Sequence, residues 1–86
     1  MTQFEKLYRK IIIEGNTSVS FWEIQFFIEK LGFLGRRKGD HFIYTMDGVN
    51  DIINIQPDGK AAKKYQVKQI KHIVEKYKLG GDSIGE

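Results

Sequence analysis

The chain contains no cysteine, one proline and two histidines among its 86 residues. Without cysteine there is no disulfide, no thiolate nucleophile and no cysteine-ligated metal centre, which fits a reducing compartment. No stretch approaches the roughly 20 consecutive apolar residues of a membrane-spanning helix. The first residues also lack the basic start, apolar run and cleavage site of a signal peptide. We therefore expect a cytoplasmic protein.

Metal and cofactor signatures are also missing from the sequence. His41 and His72 are far apart, which gives no zinc pattern in a chain without cysteine. Asp47, Asp51 and Asp58 stand at predicted turns, where aspartate is common for backbone reasons. No phosphate-binding loop and no serine-hydrolase grouping is visible. The expectation is a protein that uses neither a metal nor a cofactor.

Positive charge is modest in sum but concentrated along the chain. The net charge is +3. Between residues 60 and 78 there are seven lysines and one acid, and Arg36-Arg37-Lys38 forms a second cluster. Local basic fields of this kind attract nucleic acid or other polyanions. A solvated, lysine-rich helix face would explain the first cluster alone, but two clusters flanking a histidine favour RNA.

Three segments have the apolar spacing of amphipathic helices, at residues 3–14, 20–31 and 65–79. The second is the firmest, because Ser20 and Glu23 form a Ser-x-x-Glu capping box at its start. Gly32 suits the left-handed position that closes this helix, and Gly80-Gly81 stops the third. The tail after Gly81 has little to bury and is expected to be disordered.

Between the second and third helices the sequence predicts three strands, at residues 33–38, 41–46 and 52–56. Gly39-Asp40 suits a tight hairpin turn, whereas residues 47–51 are predicted as a longer loop. Pro57 ends the third strand and opens a loop to Lys60. The expected fold class is α+β: a three-stranded antiparallel sheet with helices on one face, in α-α-β-β-β-α order. The core order of helix, three strands and helix is that of double-stranded-RNA-binding domains, and this chain is expected to add an extra helix in front of it.

Trp22 and Phe26 lie four residues apart on the second helix, away from its main apolar stripe. A helix that is apolar on two faces needs cover on both. The sequence therefore predicts that the N-terminal helix packs over Trp22 and Phe26. The alternative is an exposed aromatic surface that binds a partner.

His41 is the one credible catalytic residue. It follows Arg36-Arg37-Lys38 and the Gly39-Asp40 turn, and it begins a strand in which Phe42, Tyr44 and Met46 alternate with Ile43 and Thr45. Histidine has an unperturbed pKa of about 6.5, which suits proton transfer near neutral pH. Cations beside such a histidine favour a phosphate-containing substrate. A structural histidine that bonds a neighbouring strand is the alternative, and His72 is expected to be a surface residue.

The segment Gly39-x-His41 followed by Phe42-Ile43-Tyr44 resembles the Gly-Ser-His-His-Ile-Phe core motif of HicA-type toxins, the ribonuclease half of HicA/HicB toxin–antitoxin pairs. The match extends to residues 29–33, 53–57 and 65–70, which resemble the end of the first helix, the third strand and the start of the last helix in that family. The similarity covers roughly residues 18–79. The N-terminal helix lies outside it.

This resemblance implies an mRNA-cleaving ribonuclease that needs no metal and is neutralised by a HicB-like antitoxin. His41 would be the general base that deprotonates the RNA 2′-hydroxyl. The residues expected to bind RNA are Arg36, Arg37, Lys38, Gly39, Lys60, Lys63 and Lys64. The implied organisation is an N-terminal extension over residues 1–16, a HicA-like domain over residues 17–79 and a tail from residue 80 to residue 86.

Two positions depart from the family motif. Asp40 stands where serine or threonine is usual, and its carboxylate would either stabilise protonated His41 or bond its own turn and point away. Phe42 replaces the second histidine. A noncatalytic RNA-binding module of the same fold and a protein-interaction subunit with an aromatic surface at Trp22 and Phe26 are the alternative functions.

Overall fold

A computed structural model describes residues 1–81 of the chain. In chain order the helices and strands are α1 (Gln3–Tyr8), a π-helix (Arg9–Ile13), α2 (Phe21–Lys30), β1 (Leu34–Lys38), β2 (His41–Met46), β3 (Val49–Ile55), β4 (Pro57–Asp58), β5 (Ala61–Ala62) and α3 (Lys64–Tyr77).

Capping boxes begin both N-terminal helices. At α2 the Ser20 hydroxyl accepts from the Glu23 N–H (3.0 Å), and the Glu23 carboxylate accepts from the Ser20 N–H (2.8 Å). Thr2 and Glu5 form the same arrangement at the start of α1. These reciprocal bonds satisfy backbone donors that have no partner inside the helix. The capping box predicted at Ser20 is confirmed.

The first helix changes its winding after one and a half turns. Its last five residues are π-helical, and the N–H of Glu14 donates to the carbonyl of Arg9 (2.9 Å). The wider turn buries Ile11 and Ile12 and leaves Ile13 61% exposed. The predicted span of 3–14 is therefore helical nearly throughout, although not as one regular α-helix.

The three long strands form one antiparallel sheet in the order β1-β2-β3. Gly39, at φ 65°, turns the chain between β1 and β2 in the two-residue hairpin that was predicted. The α+β class and the order of its main elements are confirmed. The first two strands match their predicted spans to within one residue.

The third strand begins earlier than predicted. Met46 pairs with Val49, so Asp47-Gly48 makes a two-residue turn rather than the start of a longer loop. Tyr44 and Met46 are two residues apart, whereas their partners Ile53 and Val49 are four apart. An irregularity in the ladder takes up the additional residues, which allows a tight turn where alternation alone predicted a loop.

The segment predicted as a loop after Pro57 contains a second, very short hairpin, β4–β5. Its backbone holds the start of α2, because the Phe21 N–H donates to the Lys60 carbonyl (2.8 Å) and the Ala62 N–H donates to the Val19 carbonyl (3.0 Å). The hairpin therefore links the sheet region to α2.

The last helix begins at Lys64, one residue before its predicted start, and ends at Tyr77, two residues before its predicted end. Lys78 takes the left-handed conformation (φ 54°), and the N–H of Leu79 bonds the Val74 carbonyl. The helix thus closes before Gly80-Gly81, which were predicted to stop it. The predicted disordered tail from Asp82 onward lies outside the described residues.

The helices cover one face of the sheet and share a single hydrophobic core with it. Tyr44, Ile53 and Ile55 point into this core, whereas Ile52 and Leu34 are exposed. The helical core residues are Leu7, Ile11, Ile12, Phe21, Ile24, Phe27, Ile28, Val67, Ile70, Ile73 and Val74. Because the first three belong to the N-terminal helix, that segment is part of the same core as the rest of the chain.

The N-terminal helix does not cover Trp22, so this prediction is wrong. Phe4 stacks on Phe27 (ring centroids 5.2 Å apart), which places α1 on the main stripe of α2. Trp22 is 62% exposed and stacks on the partly buried Phe26 (5.5 Å). The main stripe of α2 takes both α1 and the sheet, so the Trp22 ring is left exposed, while Phe26 packs against the edge of the core and Nζ of Lys30 lies 5.6 Å from its ring centroid.

Over residues 1–81, no helix is both long enough and apolar enough to cross a membrane.

Candidate functional site around His41

His41 occupies the first position of β2, directly after the Gly39-Asp40 turn. It pairs with Lys38 across the hairpin, and its side chain is 45% exposed. The imidazole belongs to an open depression with a volume of about 400 Å³, lined by Lys38, Gly39, Asp40, His41, Ile43 and Asn54. A substrate in bulk water therefore has access to the ring.

Asn54 on β3 orients the imidazole. Its Oδ1 lies 2.9 Å from Nδ1 of His41. Because an amide oxygen only accepts, this contact is a hydrogen bond when Nδ1 carries the proton, and Nε2 of that neutral tautomer keeps its lone pair. Asn54 pairs with Ile43 in the β2–β3 ladder, so the orienting group belongs to the sheet. This arrangement presents a proton acceptor on a rigid element, as general-base chemistry requires.

The carboxylate of Asp40 faces the other ring nitrogen. Its Oδ1 lies 3.8 Å from Nε2 of His41, and its Oδ2 accepts from Nε2 of Gln56 (2.8 Å). The bond from Gln56 is the main cause that lowers the pKa of Asp40, with smaller contributions from His41 and Lys63. Asp40 is therefore ionised at neutral pH. The side chain faces His41 and also accepts a hydrogen bond from its own backbone N–H, so it combines features of the two alternatives that the sequence left open.

The predicted cations divide between the two faces of the sheet. Lys38 and Arg36 pair with His41 and Ile43, which places them on the uncovered face beside the catalytic candidate. Arg37 pairs with Phe42 on the covered face, where its guanidinium lies 5.5 Å from the Phe42 ring centroid. Its Nε also donates to the carbonyl of Gly39 (2.8 Å), which ties the turn.

The lysines after Pro57 separate in a similar way. Nζ of Lys63 donates to Oε1 of Gln56 (3.4 Å), and the same amide donates to Asp40, the neighbour of His41. Lys60 and Lys64 line a different, mainly apolar groove between residues 17–20 and the β4–β5 hairpin. The structure thus brings Lys38, Gly39 and Lys63 towards His41 and places Lys60 and Lys64 elsewhere.

The other titratable candidates lie away from this depression. His72 is an exposed residue of α3, as predicted. Asp51 accepts from the Tyr77 hydroxyl (2.9 Å) and from Nζ of Lys76 (3.1 Å), a contact between β3 and α3. Within residues 1–81, no group of three or more histidines and carboxylates is arranged to hold a metal ion.

Sequence reasoning missed two polar residues of the site, Asn54 and Gln56. Both lie in the predicted third strand, where Asn54 alternates with the buried Ile53 and Ile55. That alternation already placed Asn54 on the solvent side. The signal became specific only with the β2–β3 register, which puts Asn54 beside His41.

Comparison of the chain with protein-family models, with curated proteins and with solved structures finds no match.

Proposed function

We propose that this chain is a HicA-like endoribonuclease that cleaves mRNA and uses His41 as its general base. The observation that supports this most is the bond from His41 Nδ1 to Asn54 Oδ1 (2.9 Å) at a half-exposed site. A structural histidine gains from such a bond but has no need of an open depression beside a lysine. The resemblance around Gly39-x-His41 supplies the reaction class.

The chemistry needs few protein groups, because RNA carries its own nucleophile. Nε2 of His41 takes the proton from a 2′-hydroxyl, and the 2′-oxygen attacks the adjacent phosphorus. The bond from phosphorus to the 5′-oxygen breaks, and that oxygen takes a proton from the imidazolium or from water. The products are a 2′,3′-cyclic phosphate and a 5′-hydroxyl. A single positioned base contributes roughly two to four orders of magnitude in rate, so slow turnover is expected.

Lys38 is the cation best placed to neutralise the phosphoryl oxygens, because it pairs with His41 and lines the same depression. Lys63 supports it from the far side of Gln56. Arg36 extends the basic strip along the uncovered face, whereas Arg37 shapes the turn. Lys60 and Lys64 would meet the RNA backbone beyond the cleavage site. Cations and a fixed imidazole acting together are a common means of stabilising phosphoryl transfer.

A noncatalytic RNA-binding module is the second candidate, and Asp40 is the observation that favours it. An ionised carboxylate lies 3.8 Å from Nε2 of His41, where it repels an incoming phosphate. In this reading the same basic strip binds RNA through its phosphates and releases it intact.

Silencing by a HicB-like antitoxin and action in the cytoplasm belong to the same proposal. A ribonuclease directed at mRNA harms its own cell unless a partner blocks it. Expression of the chain should therefore arrest growth, and a neighbouring gene for a small antitoxin should relieve the arrest. Expression without arrest, together with RNA binding by the purified chain, would favour the noncatalytic module.

The two histidines provide the decisive experiment. Purified His41→Ala should lose cleavage while keeping its fold and nearly all of its RNA affinity. His72→Ala is the matched control, since it removes the other, exposed histidine from α3, and it should cleave normally. Cleavage ends should carry the cyclic phosphate. Full cleavage by contaminant-free His41→Ala protein would refute the catalytic role.

A further inference from the structure

The two edges of the three-stranded sheet differ in whether another segment covers their backbone. On the β3 side, α3 supplies side chains to the backbone of the strand. The N–H of Asn50 donates to the Tyr77 hydroxyl (3.2 Å), and the Gln66 amide bonds the Asn54 carbonyl and the Gln56 N–H (3.4 Å each). Gln66 is itself 4% exposed. The helix therefore closes this edge against further strand pairing.

The β1 edge has no such cover. Within residues 1–81, β1 makes its backbone ladder with β2 alone, and no backbone hydrogen bond joins it to another segment. All five of its residues are exposed. Alternate N–H and C=O groups of an edge strand point outward, where they form a template for another strand.

The side chains on this edge select the strand that can pair there. Leu34, Arg36 and Lys38 lie on the uncovered face, opposite Thr45, Ile43 and His41. Leu34 is 80% exposed. On the covered face the edge carries Arg37, with Glu29 of α2 alongside. Within residues 1–81, Arg36 and Lys38 form no ion pair. Acids of an added strand would therefore meet two cations on the uncovered face, but one cation and one acid on the covered face.

We propose that the outer edge of β1 is a docking site for an extended acidic segment of a partner protein, which adds a fourth strand to the sheet. The segment has acids at two alternating positions, facing Arg36 and Lys38, and an apolar residue at the next alternating position, facing Leu34. Main-chain hydrogen bonds supply the affinity and the alternating side chains the specificity. This inference does not depend on the proposed ribonuclease activity.

Charge decides between a partner and a second copy of the chain. Two copies paired antiparallel through β1 would place Arg36 of one close to Arg36 of the other. Like charges directly across a ladder are destabilising, whereas opposite charges stabilise it. Lysine and arginine on an exposed edge are also a common protection against self-association. The β1 edge thus disfavours pairing with the β1 edge of a second copy and favours pairing with an acidic strand.

Synthetic peptides test the proposal on the full chain without RNA. The first peptide alternates two glutamates and one leucine with threonines. The second has the same composition with its glutamates adjacent, so that only one can lie on the uncovered face. The third carries lysines in place of the glutamates. The last two are versions of the first peptide in which every second backbone nitrogen is methylated, one at the odd positions and the other at the even positions. Fluorescence anisotropy gives each affinity, and amide hydrogen exchange locates the site.

The first peptide should bind best and slow exchange in residues 34–38, and methylation in one register should abolish binding. Arg36→Glu should lower the affinity for the first peptide and raise the affinity for the lysine peptide, by up to about fivefold for each charge pair. Lys68→Glu on the exposed surface of α3 is the control and should change neither. Four results would each overturn the proposal. They are no binding, equal binding of the acidic and basic peptides, binding that survives methylation in both registers, and slowed amide exchange at a place other than β1.

Discussion

The ring of Tyr44 packs against the backbone of Gly35, its partner across the β1–β2 ladder. A Cβ atom at Gly35 would overlap Cε1 of that ring, with Cδ1 only 2.7 Å away. Tyr44 cannot move easily, since it is 2% exposed and its hydroxyl donates to Glu29 (3.1 Å). Glycine is therefore required on β1 because a neighbouring ring takes the space of its side chain.

Gly35→Ala should destabilise the fold by about 1–3 kcal/mol, the usual cost of an overpacked core. Chemical denaturation measures the loss. Gly81→Ala is the control, because nothing lies within 4 Å of a Cβ added there. Gly35→Ala made in a Tyr44→Leu background should cost less free energy of unfolding than it does in the parent, because the ring that it would overlap is gone. Equal stability of Gly35→Ala and the parent would show that the ring moves freely.

Ile11 and Ile13 form a matched pair in the π-helix, 1% and 61% exposed. Ile11→Ala should cost about 2–5 kcal/mol as a buried large-to-small change, whereas Ile13→Ala should stay within about 0.5 kcal/mol. Native Trp22 emission should be that of an exposed indole in both variants, since α1 does not cover it. Similar losses at the two positions would argue against the π-helical phase.

Asp51 should make the domain acid-sensitive. The bond from Tyr77, and then that from Lys76, lower the pKa of Asp51 in the folded state. A lowered folded pKa stabilises the fold above the unfolded pKa of about 3.9, and this contribution disappears as pH falls through the folded value. Asp51→Asn should therefore lower Tm at pH 7 and have progressively less effect below about pH 4. The exposed Asp58→Asn is the control; a Tm difference that grows in acid would contradict this linkage.

Asp40→Ser tests the carboxylate beside His41. Removing a negative charge 3.8 Å from Nε2 of His41 should raise the cleavage rate at neutral pH, because the carboxylate no longer repels the incoming phosphate. Asp58→Ser is the matched control. The readout is the cleavage rate, measured over a range of pH. A lower rate at every pH would instead give Asp40 a constructive role in the reaction.

The basic residues should bind RNA through phosphates. Lys63→Ala with Lys64→Ala should weaken binding to unrelated sequences about equally and reduce the salt dependence by up to about one phosphate contact per lysine. Lys6→Ala with Arg9→Ala removes two exposed cations from the N-terminal helix and serves as the control. Affinity measured against salt concentration separates the variants. A loss limited to one RNA sequence would indicate base reading instead.

Local signals in the sequence were sufficient for the types and order of the main elements, but not for the π-helix or the β4–β5 hairpin. The capping box at Ser20 began α2, and glycine at position 39 allowed the turn before His41. Period-2 alternation identified β2. Each of these features depends on residues within a few positions of one another, which is why sequence reasoning reached them.

What required the tertiary structure was every relationship between distant segments. The placement of α1 on Phe27 rather than Trp22 depended on how two faces of α2 were shared. The bond between His41 and Asn54 depended on the β2–β3 register. The hydrogen bonds from side chains of α3 to the backbone of β3 depended on how the helix crosses the edge of the sheet. Local propensity carries no information about such pairings, because the free energy that selects them comes from packing between segments far apart in the chain.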